Sequence, residues 1–171
     1  MTLEEPTSNA TPTGLARIGE FCRLGVRRIG INGMAVTFAD EFETLEQIYA
    51  TNALAGTLAD LEFTVGHGPA HDALASSQPV EAADLSTGAA FQRWPLFAPE
   101  AVAIGVNAVQ AFPMTTFGSV LGVVSMHRLA PGPLTQAQHH QALAVTELIN
   151  FALIDPDTRD NIGLGLRMTA T

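Results

Sequence analysis

The chain has 171 residues, enough for one domain with a substantial core. Its formal net charge is −9 and it contains no lysine, so a basic stripe of the kind that binds nucleic acid is not expected. Hydrophobic residues make up 47% of the chain, yet no apolar run approaches the roughly 20 residues that cross a bilayer. The surplus apolar side chains are therefore expected in a core, a cavity or a subunit interface.

The two ends of the chain differ in composition from its middle. Residues 1–13 are acidic and polar, without the apolar stretch of a signal peptide, and are expected to form a disordered arm. Cys22 is the only cysteine, so no intramolecular disulfide can form and a cytoplasmic location is the default expectation. Residues 14–155 are predicted to form one domain, and residues 156–171 a tail.

Hydrophobic periodicity predicts the elements of the first half. Apolar residues at steps of three and four predict a helix at 14–29. Strands are predicted at 34–39 and 45–51, and a short helix begins at Asn52. Alternating apolar residues at 63 and 65 predict extended chain before a Gly-rich turn at 66–68.

The second half contains further turn and cap signals. Pro69 fits the first turn of a helix, and strands are predicted at 79–85, 107–114 and 120–129, with a short helix from Pro99. Pro113 predicts a sheet edge or a bulge. Thr135 and Gln138 match a capping box, which predicts a last helix reaching Asp155. This order predicts an α+β fold with a mainly antiparallel central sheet and helices packed on it.

Three histidines and an aspartate are the polar candidates for ligand contacts. His67 and His71 are four residues apart and Asp72 follows, but His67 lies in a turn and no third ligand is evident, so no metal site is predicted. His71 and Asp72 remain candidates for hydrogen bonds to a ligand. His127 ends a strand and can face a pocket; a haem axial ligand would be a histidine in an apolar cavity, but no haem is expected.

Four aromatic residues are candidates for an apolar pocket wall. Small-molecule sites are lined mainly by apolar and aromatic groups with a few polar ones. Plain core filling is an equally good explanation of these residues. They are Phe91, Trp94, Phe97 and Phe112.

Catalytic motifs are absent from the sequence. No Walker loop, GxSxG or HExxH occurs, and a single cysteine cannot both reduce a substrate and resolve the product. Cys22 is expected to pack as a small hydrophobic residue. The protein is therefore not expected to be an enzyme.

Three segments together resemble a GAF domain, in particular the alanine-rich kind common in actinomycetes. They are VGHGPAHDALASSQPVEAADL (65–85), RWPLFAPEAVAIGVNAVQAFPM (93–114) and FGSVLGVVSMHRLAPGPLT (117–135). The resemblance covers residues 14–155. Its motifs are structural rather than catalytic, and PAS domains are the closest competing fold.

The resemblance implies an antiparallel sheet with the first and last helices on one face. The short helices and loops of the middle segment would then cover a pocket on the other face. Family ligands include cyclic nucleotides, linear tetrapyrroles, haem and small metabolites. Some relatives carry an RNA-binding domain after the last helix, but the tail here is too short for one.

Two functions remain open at this stage. The first is a sensor that binds a small molecule and signals to a partner protein through its terminal helices. The second is a ligand-free dimerisation or protein-interaction module. In either case the two terminal helices are expected to form a homodimer interface, with Leu15, Ile18, Cys22, Val145, Ile149, Phe151 and Ala152 as its candidate residues.

Overall fold

A computed structural model describes residues 14–162, so the expected arm at 1–13 and the end of the expected tail lie outside the described residues. The described part contains a five-stranded antiparallel sheet with strand order β2-β1-β5-β4-β3. This confirms the predicted α+β class. The strands are β1 (Gly33–Ala39), β2 (Leu45–Ala50), β3 (Val80–Ala82), β4 (Ala108–Thr116) and β5 (Ser119–Arg128).

The first and last long helices pack together on one face of the sheet, as expected. These are α1 (Gly14–Ile29) and α6 (Gln136–Ile154). Gly25 brings them close, because a Cβ at this position would lie within 3.0 Å of both Val145 and Met34. Between these helices and the sheet lies a core of aliphatic, methionine and aromatic side chains.

The middle of the chain covers the opposite face with four shorter helices. They are α2 (Ala53–Val65), α3 (Pro69–Ser76), α4 (Gly88–Arg93) and α5 (Phe97–Ala103). A second core, rich in alanine, lies between this layer and the sheet. Because side chains alternate along a strand, each long strand contributes to both cores.

Several predicted boundaries need correction. Residues 63–65 are not extended: α2 continues to Val65, where Gly66 at φ 73 ends it and donates its N–H to the Glu62 carbonyl. The strand predicted at 79–85 is only three residues long. Helix α4, capped by Thr87, was not predicted, and α5 begins at Phe97 rather than Pro99. Short helices lack enough residues to show a period.

The capping box and Pro113 behave as predicted. Thr135 accepts the backbone N–H of Gln138, and the Gln138 side chain accepts the N–H of Thr135. Pro113 lies beyond the part of β4 that pairs with β3, and the ladder to β5 shifts register one residue later.

Pro156 ends α6 but also starts another helix. Residues Pro156–Asn161 form α7, with Asp155 as its N-cap and Pro156 in its first turn. Thr158 is buried against Gly14, where a Cβ would overlap the threonine side chain. The expected tail therefore begins with a short helix that packs on α1.

The hairpin between β4 and β5 carries an unfavourable turn residue. Phe117 is fully exposed at φ 51 and is followed by Gly118 at φ 78, the type I′ geometry for which Asn-Gly is preferred. We expect Phe117→Asn to raise the free energy of unfolding by about 1 kcal/mol, measured by urea denaturation. Phe42→Asn, at an exposed loop position without positive φ, is the control. A similar gain in both variants would contradict this explanation.

Candidate functional site

A small cavity lies between the sheet and helices α2, α3 and α5. The volume within it that is open to the centre of a water molecule is about 20 Å³. The cavity therefore has room for about one water. Alanine and serine supply much of its wall, and their small side chains leave this space open. The lining residues are Ala35, Thr37, Leu45, Ala55, Leu58, Ala59, Glu62, Ala70, Phe97, Val109, Ser125, Met126 and His127.

His127 is the unsatisfied polar group of this cavity. Its side chain projects from β5, is 2% exposed, and its Nε2 has no hydrogen-bond partner among the described residues. Burial lowers its pKa from 6.5 to about 4, so the imidazole is neutral near pH 7. Gly33 on β1 is opposite His127, and a Cβ there would overlap the imidazole ring. The glycine therefore makes room for the histidine.

Glu62 is a buried carboxylate in the last turn of α2. Its Oε2 accepts the backbone N–H of Ala70 at 3.1 Å and of His71 at 3.4 Å, and lies 3.1 Å from His71 Nδ1. Burial raises the pKa of the Glu62 carboxyl, while these hydrogen bonds oppose the rise. Gly68 is needed beside it, because a Cβ there would meet the carboxylate. The carboxylate thus caps the first turn of α3.

A hydrogen-bonded network holds the cover of the cavity together. Asp72 Oδ2 accepts from Arg93 Nε at 3.0 Å and from Trp94 Nε1 at 3.1 Å. The Arg93 guanidinium also lies 4.5 Å from the Trp94 ring centre. His67 Nε2 accepts the backbone N–H groups of Leu96 and Phe97 at the start of α5. These contacts tie α3 and the turn before it to α4 and α5.

The structure separates the candidate ligand residues into three groups. Phe97 and His127 line the cavity, as predicted for pocket residues. His71 and Asp72 do not line it. His71 instead contacts Glu62, and Asp72 accepts hydrogen bonds from Arg93 and Trp94. Of the other aromatic residues, Trp94 is buried in the covering layer and Phe91, on α4, is exposed.

Phe112 is corrected as a pocket residue. It projects from β4 toward α6, where its ring centre lies 5.5 Å from that of His139. This is the face of the sheet opposite the cavity. Strand parity decides the matter, because Val109 and Ala111 on the same strand face the cavity side.

Five of the seven candidate dimer residues are also corrected. Ile18, Cys22, Val145, Ile149 and Ala152 are buried inside the domain and present no surface to a second copy. Burial also raises the pKa of Cys22 to about 12, consistent with a packed thiol. Leu15 and Phe151 are exposed. Periodicity identified a helix face that packs on the domain's own sheet.

Three polar residues of the cavity wall were not predicted: Thr37, Glu62 and Ser125. For Glu62 a signal existed: Ala55, Leu58 and Glu62 follow helical spacing, which places the glutamate on the buried face of α2. A charged residue on such a face requires buried partners. Thr37 and Ser125 carry no such signal, because short polar residues are common in strands.

Two other features concern residues 14–162: a possible metal centre and a possible membrane span. Within this range no His, Cys, Asp or Glu residues gather in a group of three or more that can hold a metal ion. No helix described there is both long and apolar enough to span a bilayer.

The class defined by these features is an α+β domain with a helix pair on one face of its sheet and a covered cavity on the other. Solved structures show which fold this is. The GAF domain of a phosphoenolpyruvate-protein phosphotransferase from Coxiella burnetii aligns with a TM-score of 0.66 at 11% identity, over 90% of this chain and 89% of that one. The protein therefore has the GAF fold.

Two further structures support the same conclusion. A GAF domain/HD domain protein from Geobacter sulfurreducens aligns with a TM-score of 0.60 at 18% identity, covering 85% of this chain and 95% of that one. A GAF domain from Synechocystis in its photoproduct state aligns with a TM-score of 0.62 at 10% identity, covering 85% and 93%. Neither a protein-family model nor a curated protein matches the sequence.

Proposed function

We propose that this protein is a non-catalytic sensory or regulatory domain that binds a small molecule in the cavity under α2, α3 and α5. The observation that carries the proposal is His127, a residue of the cavity wall that is buried and whose Nε2 has no hydrogen-bond partner among the described residues. A buried polar atom without a partner costs free energy, and a ligand with a hydrogen-bonding group would recover it. The photoproduct state of the Synechocystis neighbour is an instance of a GAF domain that changes state.

The sheet offers a short path from the cavity to the terminal helices. Ser125 and His127 line the cavity, Val124 on the same strand packs in the core under α1 and α6, and Met126 contributes to both. The cavity holds about one water, so a larger ligand must displace part of its wall. A ligand would thereby favour one arrangement of the helix pair, and a partner signalling protein would read it.

A metabolite panel in a thermal-shift assay tests the proposal. A true ligand at 100 times its dissociation constant adds about 2.7 kcal/mol to stability, which is several degrees in melting temperature. Ala55→Leu, which fills the cavity from α2, should abolish the shift. Ala53→Leu, the same substitution at an exposed position of this helix, should preserve it. An equal shift in both variants would place the ligand elsewhere.

The second candidate, a ligand-free homodimer module, is favoured by the outer face of α6. Ala144, Leu148 and Phe151 follow helical spacing and are all exposed. Phe151 is 77% exposed, an unusual state for an aromatic side chain on a helix. In a two-fold symmetric dimer, this stripe of one copy would pack against the same stripe of the second copy, so that both would be buried.

Phe151→Glu tests this dimer. We expect the variant to sediment as a monomer, with a dissociation constant raised at least about 100-fold, because the change places two charges in a symmetric interface. Phe63→Glu, at an exposed position of α2 on the other layer, is the control and should leave the mass unchanged. An unchanged mass for Phe151→Glu would exclude this face. Ile149→Glu is unsuitable, since Ile149 is fully buried and the variant would report on folding.

A further inference from the structure

The first turn of α3 is already capped by a carboxyl group of the protein itself. Free N–H groups at a helix N-terminus bind phosphates and carboxylates. Here the N–H groups of Ala70 and His71 point at the Glu62 carboxylate. This carboxylate also lines the cavity. An anionic ligand entering the cavity would therefore find this helix N-terminus already occupied by the Glu62 oxygens.

Within the described part of the chain, the cavity wall offers no positively charged side chain to an anionic ligand. Among the described residues that line it, none is an arginine, and Glu62 and His127 are the titratable ones. The imidazole of His127 is uncharged near neutral pH, as its burial requires. The remaining wall is mostly alanine, leucine, valine and phenylalanine. An anion would lose its hydration here without gaining a cationic partner.

One buried side-chain nitrogen of the residues that line the cavity has no hydrogen-bond partner within residues 14–162. His127 Nε2 is buried and unpartnered, whereas the Glu62 oxygens already accept from Ala70 and His71. The hydroxyl of Thr37 donates to the Val123 carbonyl. A ligand with one polar group and an apolar body would place that group against Nε2.

We propose that the cavity selects an uncharged, mainly apolar ligand whose single hydrogen-bonding group meets His127 Nε2, and that Glu62 acts as an internal anion that excludes phosphate- and carboxylate-bearing ligands. This inference rests on the proposed function and narrows its ligand class. It assigns separate roles to His127 and Glu62. His127 recognises the ligand, and Glu62 rejects anions.

Three probes of similar shape test both roles: phenol, toluene and benzoate. The phenol hydroxyl can donate or accept, so it fits either tautomer of His127. Binding is followed by NMR, from the saturable shift of the His127 Cε1–H resonance and of amide resonances in α2. In the wild-type protein we expect phenol to bind at least fivefold more tightly than toluene and at least tenfold more tightly than benzoate.

Two variants separate the contributions of His127 and Glu62 to ligand selection. His127→Phe, followed by its amide shifts, should reduce the preference for phenol over toluene to less than twofold. Glu62→Gln should narrow the gap between phenol and benzoate while keeping the preference over toluene. If His127→Phe does not fold, His127→Gln should retain a preference for phenol, since it keeps a polar group.

The outcomes distinguish this inference from the sensor role. Equal affinities for phenol and toluene in the wild type would overturn the role of His127. Benzoate binding as tightly as phenol would overturn the exclusion of anions and leave the sensor proposal intact. Saturable binding of none of the three probes would overturn the inference as a whole, while the metabolite panel with Ala55→Leu decides the sensor role independently.

Discussion

Glu62→Ala should lower the free energy of unfolding by about 2–4 kcal/mol. The variant leaves the buried N–H of Ala70 without its acceptor and removes the partner of His71 Nδ1. An orphaned buried donor costs about 1–3 kcal/mol, and more when the lost partner is charged. Relief of the burial cost of the carboxylate offsets part of this loss. Urea denaturation at pH 7 measures the difference.

The response to added acetate is a more specific test of the capping role of Glu62. If Glu62 is an internal anion at the start of α3, acetate should occupy the space left in Glu62→Ala and raise its melting temperature, while the wild type stays unchanged. Glu81→Ala is the matched control: the Glu81 carboxylate also accepts a backbone N–H, from Leu134, but the residue is exposed. We expect Glu81→Ala to cost less than about 1 kcal/mol and to show no response to acetate. A variant Glu62→Ala as stable as Glu81→Ala would refute the capping role.

Acidification should destabilise the protein through His127. Its pKa is about 4 in the folded state against an ordinary value of 6.5, so the unfolded chain binds the proton more readily. The contribution of His127 to stability is therefore fully present above pH 6.5 and is lost as the pH falls toward 4. The difference in pKa corresponds to about 3 kcal/mol, which solvent access reduces to about 2.

A comparison with His127→Gln isolates this effect. The glutamine variant does not titrate here, so the difference in unfolding free energy between wild type and variant should shrink by about 2 kcal/mol from pH 7 to pH 4.5. Glu62 has a raised pKa, so it titrates with the opposite sign from about pH 4.5 upward, but it is present in both proteins and cancels. A pH-independent difference for His127→Gln would contradict the buried neutral imidazole.

Local sequence signals predicted much of the fold. The period of apolar residues in α1 predicted both of its ends, and the pair Thr135 and Gln138 fixed the start of α6. The order of elements gave an α+β class with an antiparallel sheet, and the resemblance of three segments gave the GAF fold that solved structures support. These features depend on neighbours in the chain, which a sequence displays directly.

The candidate site was predicted only in part. Phe97 and His127 were identified because an aromatic residue and a strand-end histidine suit a pocket wall, and both line the cavity. Phe112 was assigned to the wrong face of the sheet. Its side chain alternates with those of Val109 and Ala111, which are on the cavity side. Ile149 and its buried neighbours were assigned to a dimer interface because an apolar stripe looks the same whether its own sheet or a second copy covers it.

By itself, the sequence determined the class of fold, the capping box of α6 and the lack of a second cysteine, because these follow from residue type and local spacing. Tertiary structure alone decided that Glu62 accepts from the first turn of α3 and that Phe151 rather than Ile149 is exposed. It also decided that the imidazole of His127 lies where a side chain at Gly33 would be. Each of these facts is a contact between segments distant in the chain or the result of which face a strand or helix buries. Periodicity predicts that a strand or helix has an apolar face, and only the packed structure shows which residues that face contacts.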